Sequence, residues 1–277
     1  MNIIERRRRY IGGLPTGYSN TGALTVDGTN DYLQLPYTPQ AALRNSFTIG
    51  AWIQGANINP GAPHGNLKYI FGAYKTFNVW FVLFIDGPGK IGIIFEAGSG
   101  ANLSARTDTT PYSGGTTGDS GSDWEHIGAV ITEGASSGDA TSVKIYRNGS
   151  ELAATATATT MDSSEQSAID FSSGSYSAIG AYKFAASDSS YSGPINANID
   201  EVAMWTTALD ADAMAVVGNT SDIKDLTEDS GNYDNSSDLE FYYKLNEGTG
   251  TSAADFSGNG NTATLINGAT WTTGASN

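Results

Sequence analysis

Short alternating segments separated by turns are the feature that most constrains the fold of this chain. About a dozen stretches alternate apolar and polar side chains, and clusters of Gly, Asn, Asp and Ser separate them. Segment 46–54, SFTIGAWIQ, places Phe47, Ile49 and Ile53 on one face and Trp52 on the other. Strands this short and this frequent predict two packed antiparallel sheets.

Other segments carry more specific signals. Segment 78–86 is apolar on both faces and should be a central strand. Asn148-Gly149 predicts a tight hairpin within 142–152. Residues 98–122 are rich in Gly, Ser and Thr and are predicted to form a long surface loop. The remaining strand candidates are 23–36, 68–75, 90–97, 124–132, 154–160 as an edge strand or a loop, 176–183, 196–205, and two or more strands within 240–274.

Segment 196–217 combines a strand with a helix. Its alternation predicts that Ile199, Glu201, Ala203 and Trp205 share one face of the strand, with Asp200 on the other. One of the two adjacent carboxylates should therefore face inward and need a partner. Asp210 is a good N-cap for a short helix at 211–217.

The charge is unevenly distributed. The net charge is −15, and the first ten residues hold four arginines and one glutamate, so the rest carries about −18. An acidic body argues against nucleic-acid or anionic-membrane binding. Residues 1–16 are predicted to be a basic arm in which Arg6, Arg7, Arg8 and Arg9 dock on an acidic partner. A solvated arm without a partner is the alternative.

The composition excludes several classes of protein. The chain has no cysteine, so it has neither a disulfide framework nor a thiolate metal site. We find no signal-peptide pattern and no apolar run long enough to span a membrane. The 277 residues, with 39% hydrophobic content and no long linker, predict a single domain.

Several segments together resemble the laminin-G-like, or concanavalin A-like, jelly-roll family. They are ALTVDGTNDYLQLP, SFTIGAWIQ, WEHIGAVIT, VKIYRNGSEL, NIDEVAMWTTALDADAM and FYYKLNEGTGTSAADFSGNGNTATLINGATW, within residues 22–274. The resemblance implies that residues 17–277 form an all-β, two-sheet antiparallel jelly-roll sandwich that contains one short helix. The order departs from the family, because 240–274 resembles the opening that normally precedes a strand like 22–36. We therefore expect these two segments to pair in a wrapped or permuted sandwich.

The resemblance implies binding of glycans or proteins more often than catalysis, sometimes with Ca²⁺. Such domains also look common in phage structural proteins that have this wrapped C-terminal order. Our main hypothesis is a non-enzymatic virion subunit of the surface, decoration or appendage type, docked through its arm on other virion proteins or on copies of itself. It would be a homo-oligomer or part of a large assembly at the virion surface. The alternative is an exported bacterial carbohydrate-binding or adhesion module, extracellular or at the cell surface. A glycan-active enzyme is the weaker alternative.

Catalytic signals are scarce. The chain has two histidines, His64 in a Pro/Gly loop and His126 inside a strand, and they form no triad pattern. We expect His126 to be a hydrogen-bonded sheet residue beside Trp124. No strand carries the alternating carboxylates that glycan hydrolysis needs. We therefore predict no enzymatic activity.

Two kinds of binding residue can be nominated. Oxygen ligands for calcium are available at Asp27, Asp200, Asp255, Asn259 and Asn261. The alternative is that these side chains bond the backbone of their own turns. Aromatic platforms for glycans are Trp52, Trp80, Tyr182 and Tyr191. Their alternative is a place in the hydrophobic core.

Overall fold

A computed structural model of the protein describes residues 18, 20–55, 66–98, 100–112, 124–171 and 173–275, with the side chains of 157–159 left aside. The strands are β1 Ala23–Asp27, β2 Tyr32–Gln34, β3 Phe47–Gln54, β4 Lys68–Thr76, β5 Val79–Ile85, β6 Ile91–Ala97, β7 Asn102–Thr107, β8 Glu125–Thr132, β9 Ser142–Arg147, β10 Ser150–Leu152, β11 Ala154–Thr159, β12 Tyr176–Ile179, β13 Tyr182–Lys183, β14 Tyr191–Ser192, β15 Asn196–Trp205, β16 Leu239–Tyr243, β17 Ser252–Ala253, β18 Ala263–Ile266 and β19 Thr270–Thr272. The helices are α1 Gln40–Leu43, α2 Ser163–Ser167 and α3 Ala211–Val217, with a 3-10 turn at Ser236–Asp238.

The strands form two large antiparallel sheets. Sheet I has the order β10-β9-β8-β3-β15-β1-β19, and β16 also pairs with β15. Sheet II has the order β11-β7-β6-β5-β4-β12-β2-β18-β17, and β13 and β14 form a small separate hairpin. The predicted all-β sandwich is confirmed, although the described residues include three helices where the sequence predicted one. The two extra helices, α1 and α2, have only four and five residues, too short to give a periodic signal.

The core lies between the sheets. Phe47 of sheet I contacts Phe81 and Phe95 of sheet II edge-to-face, with ring centroids 5.2 and 6.0 Å apart. All three rings are completely buried. Such pairs add about 0.5–1.5 kcal/mol each to the stabilisation from burial alone. The alternating apolar residues of the sequence therefore face inward as predicted, and β5 is a central strand.

The predicted loop at 98–122 is wrong over part of its length. Within it, β7 pairs with β6, with Arg106 opposite Gly92. Leu103, Ala105 and Thr107 are buried on the inner face. The inward residues include only one large apolar side chain, so the alternation was too weak to stand out in a segment rich in Ser and Thr. Residues 154–160, left open between edge strand and loop, form β11 at the edge of sheet II.

The predicted face of β15 is also wrong, because the strand contains a β-bulge. The ladder with β3 shifts register between Asp200 and Ala203, and Glu201 has a positive φ of 48°. The extra residue moves Ile199 to the same side as Val202 and Met204, in the main core. Ala203 and Trp205 instead face the outer side of sheet I. Consequently both Asp200 and Glu201 are buried.

The pairing predicted between the beginning and the end of the chain is confirmed. β19 pairs with β1, with Trp271 opposite Leu24, and β18 pairs with β2, with Leu265 opposite Leu33. β1 and β16 lie along the same edge of β15: β1 pairs with its first half and β16 with its second half. The segment 240–274 therefore contributes strands to both sheets. The division into a basic arm and a sandwich stays a prediction, since residues 1–17 lie outside the described residues.

The outer face of sheet I is covered. The Oδ1 atom of Asp210 accepts a hydrogen bond from Ala213 N at 2.8 Å, so the predicted cap of α3 is confirmed. Met214 of α3 packs in a cluster with Trp205 and Tyr233. Trp205 Nε1 donates to Tyr233 Oη at 3.0 Å. Trp205 is thus a structural residue. None of the described helices has the length and apolarity needed to cross a membrane.

Candidate functional site

A row of side chains crosses the outer face of sheet II. Directly opposed residues of antiparallel strands share one face. Tyr176 of β12 is opposite Tyr74 of β4, Tyr74 is opposite Trp80 of β5, Trp80 is opposite Glu96 of β6, and Glu96 is opposite Asn102 of β7. Three aromatic rings, a carboxylate and an amide thus follow one another across five strands.

The small hairpin β13–β14 adds a further aromatic residue over this row. Tyr182 of β13 lies above Gly72 of β4, and a Cβ atom at Gly72 would lie 3.0 Å from the Tyr182 ring. The Tyr182 ring centroid lies 5.6 Å from that of Tyr74, 5.7 Å from Trp80 and 5.5 Å from Tyr69. The absence of a side chain at Gly72 therefore allows the hairpin to approach the sheet and bring these rings together.

These rings enclose an open cleft of about 360 Å³. Two of the aromatic residues at the cleft are well exposed: Phe77 in the β4–β5 turn by 86% and Phe184 after β13 by 41%. The lining residues are Tyr69, Tyr74, Phe77, Trp80, Glu96, Tyr182 and Phe184. An exposed apolar surface with a few polar groups, at the lower end of the usual size of ligand pockets, is typical of a binding site.

The polar groups of the cleft are few and well defined. Trp80 Nε1 donates to the backbone oxygen of Phe77 at 3.1 Å, which fixes the indole against the turn and engages its polar edge. Burial raises the pKa of the Tyr69 hydroxyl. Burial, followed by the neighbouring Tyr74, also raises the pKa of Tyr182. Both phenols stay protonated near neutral pH and can donate hydrogen bonds. Among the described residues around the cleft, Glu96 supplies the one carboxylate.

The structure brings together two of the four predicted glycan-binding residues, Trp80 and Tyr182. The prediction that Trp52 is an exposed platform is wrong. Its side chain is only 2% exposed, and its ring packs edge-to-face on His126 with the ring centroids 5.5 Å apart. Its strand face is covered by Tyr18, Trp124 and other residues of a small cluster. Tyr191 lies away from the cleft and is half-buried, with its ring 5.9 Å from that of Tyr32.

Four aromatic residues of the cleft were missed in the sequence. They are Tyr69, Tyr74, Phe77 and Phe184. A signal existed for three of them, because the hairpin KYIFGAYKTFNVW places aromatic residues on both sides of a tight turn. The contribution of Phe184 depends on how the β13–β14 hairpin folds back over Gly72, which local sequence does not specify.

The five predicted calcium ligands do not converge on one point. Asp27 Oδ1 accepts from Thr29 N, and Asn259 Nδ2 donates to the backbone oxygens of Leu239 and Glu240. Asp255 accepts three backbone hydrogen bonds, from Tyr242 N, Ser257 N and Asn261 N. These contacts follow the alternative that the turns satisfy their own backbone. Within the described ranges, no group of three or more His, Asp or Glu residues could hold a metal ion.

Asp200 likewise bonds protein atoms. Its Oδ1 accepts from Asn20 Nδ2 at 2.8 Å and from Glu201 N at 2.9 Å, and its Oδ2 accepts from Ala275 N at 2.7 Å. The four predicted ligands Asp27, Asp200, Asp255 and Asn259 thus bond protein groups rather than present a shared cage, and this arrangement does not fit a calcium ion. Whether the protein binds calcium stays a prediction.

Glu201, next to Asp200, has its own set of partners. Its carboxylate accepts hydrogen bonds from Asn20 Nδ2 and from the hydroxyls of Tyr18 and Tyr242. Burial raises the pKa of Glu201 to about 7. Burial, and then repulsion from Glu201, raises the pKa of Asp200 as well. This carboxylate pair lies where β1 and β16 meet along β15. Its role is structural, because its hydrogen bonds hold neighbouring segments of the chain together.

His126 cannot take part in chemistry at the surface. It is completely buried, and burial lowers its pKa to about 4. Its Nδ1 has no hydrogen-bond partner within the described part of the chain. The expectation that His126 is fully hydrogen-bonded is therefore wrong at Nδ1. Its ring packs on Trp52, in the cluster against which Trp124 also packs. His64 lies outside the described residues.

Comparison with known proteins agrees with this architecture. The family model of the concanavalin A-like lectin/glucanases superfamily matches residues 27–215, which is more than half of the chain. A crystal structure of a putative carbohydrate binding protein from Bacteroides ovatus is 21% identical over 92% of this chain, with a TM-score of 0.55. This chain spans 60% of the length of that protein.

Two further solved structures are similar. The heptameric SAP-like pentraxin from Limulus polyphemus is 16% identical, covering 74% of this chain and 85% of its own, with a TM-score of 0.50. The CBM40 of the Ruminococcus gnavus IT-sialidase is 13% identical, covering 71% of this chain and 96% of its own, with a TM-score of 0.49. At these identities the likeness concerns the fold. No curated protein sequence matches this chain.

Proposed function

Since the chain belongs to the concanavalin A-like lectin/glucanase superfamily, we propose that it binds carbohydrate, through the aromatic cleft on sheet II. The observation that carries the proposal is the group of aromatic rings around Tyr182, with Phe77 and Phe184 at the exposed rim. A buried core accounts for clustered aromatic residues elsewhere in the molecule, but not for rings exposed to solvent around an open cleft.

The chemistry of the cleft suits a sugar. One face of a pyranose ring exposes C–H groups that pack on an aromatic ring, and its hydroxyls need donors and acceptors at the edge. Trp80 is half-buried and held by its bond to Phe77, so its ring is already ordered before binding. Tyr69 and Tyr182 supply hydroxyls, and Glu96 supplies an acceptor in the same row. Preordered rings reduce the entropic cost of binding.

We further propose that the cleft binds without cleaving. Hydrolysis of a glycosidic bond usually requires two carboxyl groups facing the same bond, about 5–10 Å apart. Glu96 is the one carboxylate among the described residues that line the cleft. A single carboxylate between aromatic rings can accept hydrogen bonds from hydroxyl groups, but it lacks the second group for acid–base catalysis.

The proposal is tested by removing one ring. We expect Trp80→Ala to weaken binding of the best glycan on an array by about tenfold or more, because the stacking surface is lost. Isothermal titration calorimetry of the purified variants gives the dissociation constants. Circular dichroism confirms that the fold is retained, as expected for a half-buried residue on the outer face of the sheet.

Phe256→Ala is the matched control. Phe256 is another exposed aromatic residue, 39% exposed, and it packs on Lys244, outside the cleft. It should leave the affinity unchanged. Equal losses in both variants, or no glycan binding by the wild-type protein, would count against the aromatic cleft as a carbohydrate site.

The virion role inferred from the sequence is a second proposal. Its support is electrostatic. Residues 222–240 hold seven acidic residues and one lysine. Asp225 of this segment bonds Lys244, which lies over the ring of Tyr18, two residues after the predicted arm. We propose that Arg6, Arg7, Arg8 and Arg9 bind such an acidic surface on another virion protein or on a second copy, placing the protein at a virion surface.

The arm is tested by deleting residues 1–10. We expect the deletion to reduce the mass measured by light scattering, or to prevent incorporation into particles, at about 0.1 M salt, where charge attraction operates over roughly 10 Å. Replacing the four arginines by glutamine is the matched variant of full length. Unchanged mass and incorporation in both variants would refute docking through the arm.

A further inference from the structure

We infer that the cleft selects saccharides by charge, accepting neutral and amino sugars and rejecting sugars that carry a carboxylate. This inference rests on the proposed carbohydrate function and adds the class of ligand. Its basis is the position of Glu96 within the aromatic row, together with the location of the neighbouring cationic side chains.

Glu96 lies in the row between the aromatic residues and the amide of Asn102. It lies directly opposite Trp80 on one side and Asn102 on the other. A ligand that stacks on Trp80 therefore brings its ring substituents next to the Glu96 carboxylate, since opposed side chains are about 4.5–5.5 Å apart at Cβ. At that separation a second negative charge is repelled, whereas hydroxyl and ammonium groups can donate to it.

The cations nearby are engaged elsewhere. Arg106 faces outward on β7, and the residues opposite it across the sheet are Gly92 of β6 and Phe84 of β5. Phe84 is four residues from Trp80 along β5, which separates the two rows by about 13 Å at the rise of a strand. Its guanidinium stacks on Phe84 and lies 3.7 Å from Asp86. A distance of 13 Å exceeds the screening length of about 8 Å at physiological salt. Arg106 therefore does not offset Glu96 in the cleft.

Lys183 follows Tyr182 in β13 but its side chain is buried away from solvent. Its Nζ donates to Tyr32 Oη at 2.9 Å and pairs with Asp188 at 3.3 Å. Lys75, next to Tyr74, lies 3.8 Å from Asp170. Neither lysine lines the cleft. Among the described residues that line the cleft, an acidic sugar would therefore meet a carboxylate and no compensating cation.

The aromatic rings reinforce this preference. Their faces carry partial negative charge and attract ammonium groups. The net charge of −15 adds a long-range preference of the same sign. An amino sugar thus gains from both the carboxylate and the rings, a neutral sugar gains from stacking alone, and an acidic sugar gains from stacking but is repelled.

Matched ligands test the inference. The probes are N-acetyllactosamine with its sialylated form, and the N-acetylglucosamine trimer with its deacetylated triamine, titrated by calorimetry into the full chain at pH 6. We expect the sialylated form to bind at least tenfold more weakly than its neutral partner, and the triamine to bind at least as tightly as the acetylated trimer. At 1 M salt, where the screening length is about 3 Å, both differences should shrink.

Glu96→Gln separates charge from shape. It keeps an oxygen acceptor at the same place, so the dissociation constants of the variant for the neutral and the sialylated ligand should lie within threefold of each other, whatever the change in its affinity for the neutral ligand. Equal or tighter binding of the sialylated form by the wild-type protein overturns the charge rule, while neutral binding that still depends on Trp80 upholds the proposed function. Absence of binding by all four probes and by an array overturns both.

Discussion

His126 and Glu201, two buried ionisable residues, make opposite contributions to stability as the pH changes. The folded pKa of His126, about 4, lies below its ordinary value of 6.5. Its contribution is therefore present above pH 6.5 and is lost as the pH falls towards 4, by about 3 kcal/mol in all. The folded pKa of Glu201, about 7, lies above its ordinary value of 4.5. Its contribution is present below pH 4.5 and is lost as the pH rises through 7.

Single variants should reveal these opposing effects. Relative to wild type, His126→Phe should be most stabilised near pH 4.5, because it removes the proton uptake that accompanies unfolding. The free energy of unfolding of Glu201→Gln, relative to that of wild type, should be highest near pH 8, because the substitution removes a buried negative charge. Urea denaturation between pH 4.5 and 8 measures the free energy of unfolding. Parallel curves for the two variants and wild type would contradict the assigned pKa shifts.

At the scale of elements, the cleft depends on how closely the β13–β14 hairpin approaches β4. A Cβ atom at Gly72 would lie 3.0 Å from the Tyr182 ring, 3.1 Å from its Cα atom and 3.3 Å from the Ala181 backbone oxygen. Because two of these atoms are backbone, the hairpin itself must move by a few tenths of an ångström to make room.

We therefore expect Gly72→Ala to weaken glycan binding about as much as Tyr182→Ala, with a loss of stability within about 1–3 kcal/mol. A double-mutant cycle measured by calorimetry checks the mechanism. If Gly72→Ala acts by displacing Tyr182, the double variant should bind no more weakly than Tyr182→Ala alone. Additive losses would mean that the glycine acts through another part of the cleft.

The elements that the sequence predicted are those with regular patterns. β3, β5 and the Asn148-Gly149 hairpin follow from alternation and turn chemistry, and both turn residues have positive φ, 50° and 75°. β7 was missed because small polar residues mask its alternation, and the face of β15 was wrong because one bulge residue inverts the period. Trp80 and Tyr182 were nominated individually. Their meeting depends on a cross-strand register and on a glycine in a third strand, which are tertiary facts.

At the scale of the whole molecule, the C-terminal strands complete both sheets. β19 covers the edge of β1, and Ala275 N donates to the buried Asp200. Deleting residues 268–277 would leave that edge unpaired and remove one hydrogen bond from a buried carboxylate, at a cost of several kcal/mol. We expect this truncation to lower the melting temperature by more than 10 °C or to make the protein insoluble.

Deletion of 276–277 alone, which removes none of the described contacts, is the matched control and should melt like wild type. Differential scanning calorimetry and the soluble fraction after expression report the result. A truncated protein that melts within a few degrees of wild type would show that the β1–β19 ladder contributes little to stability.

The wrapped order of strands also has a consequence for biogenesis. β1 finds its sheet neighbours in β15 and β19, about 170 and 250 positions later in the chain. On the ribosome, β1 therefore has no partner on one edge until about residue 205 has been synthesised, and none on the other edge until about residue 272. Contacts so distant in sequence make folding slow, and the exposed strand is open to wrong partners in the meantime. The arrangement that seals the mature sandwich thus leaves this edge of β1 unprotected until β19 has been synthesised.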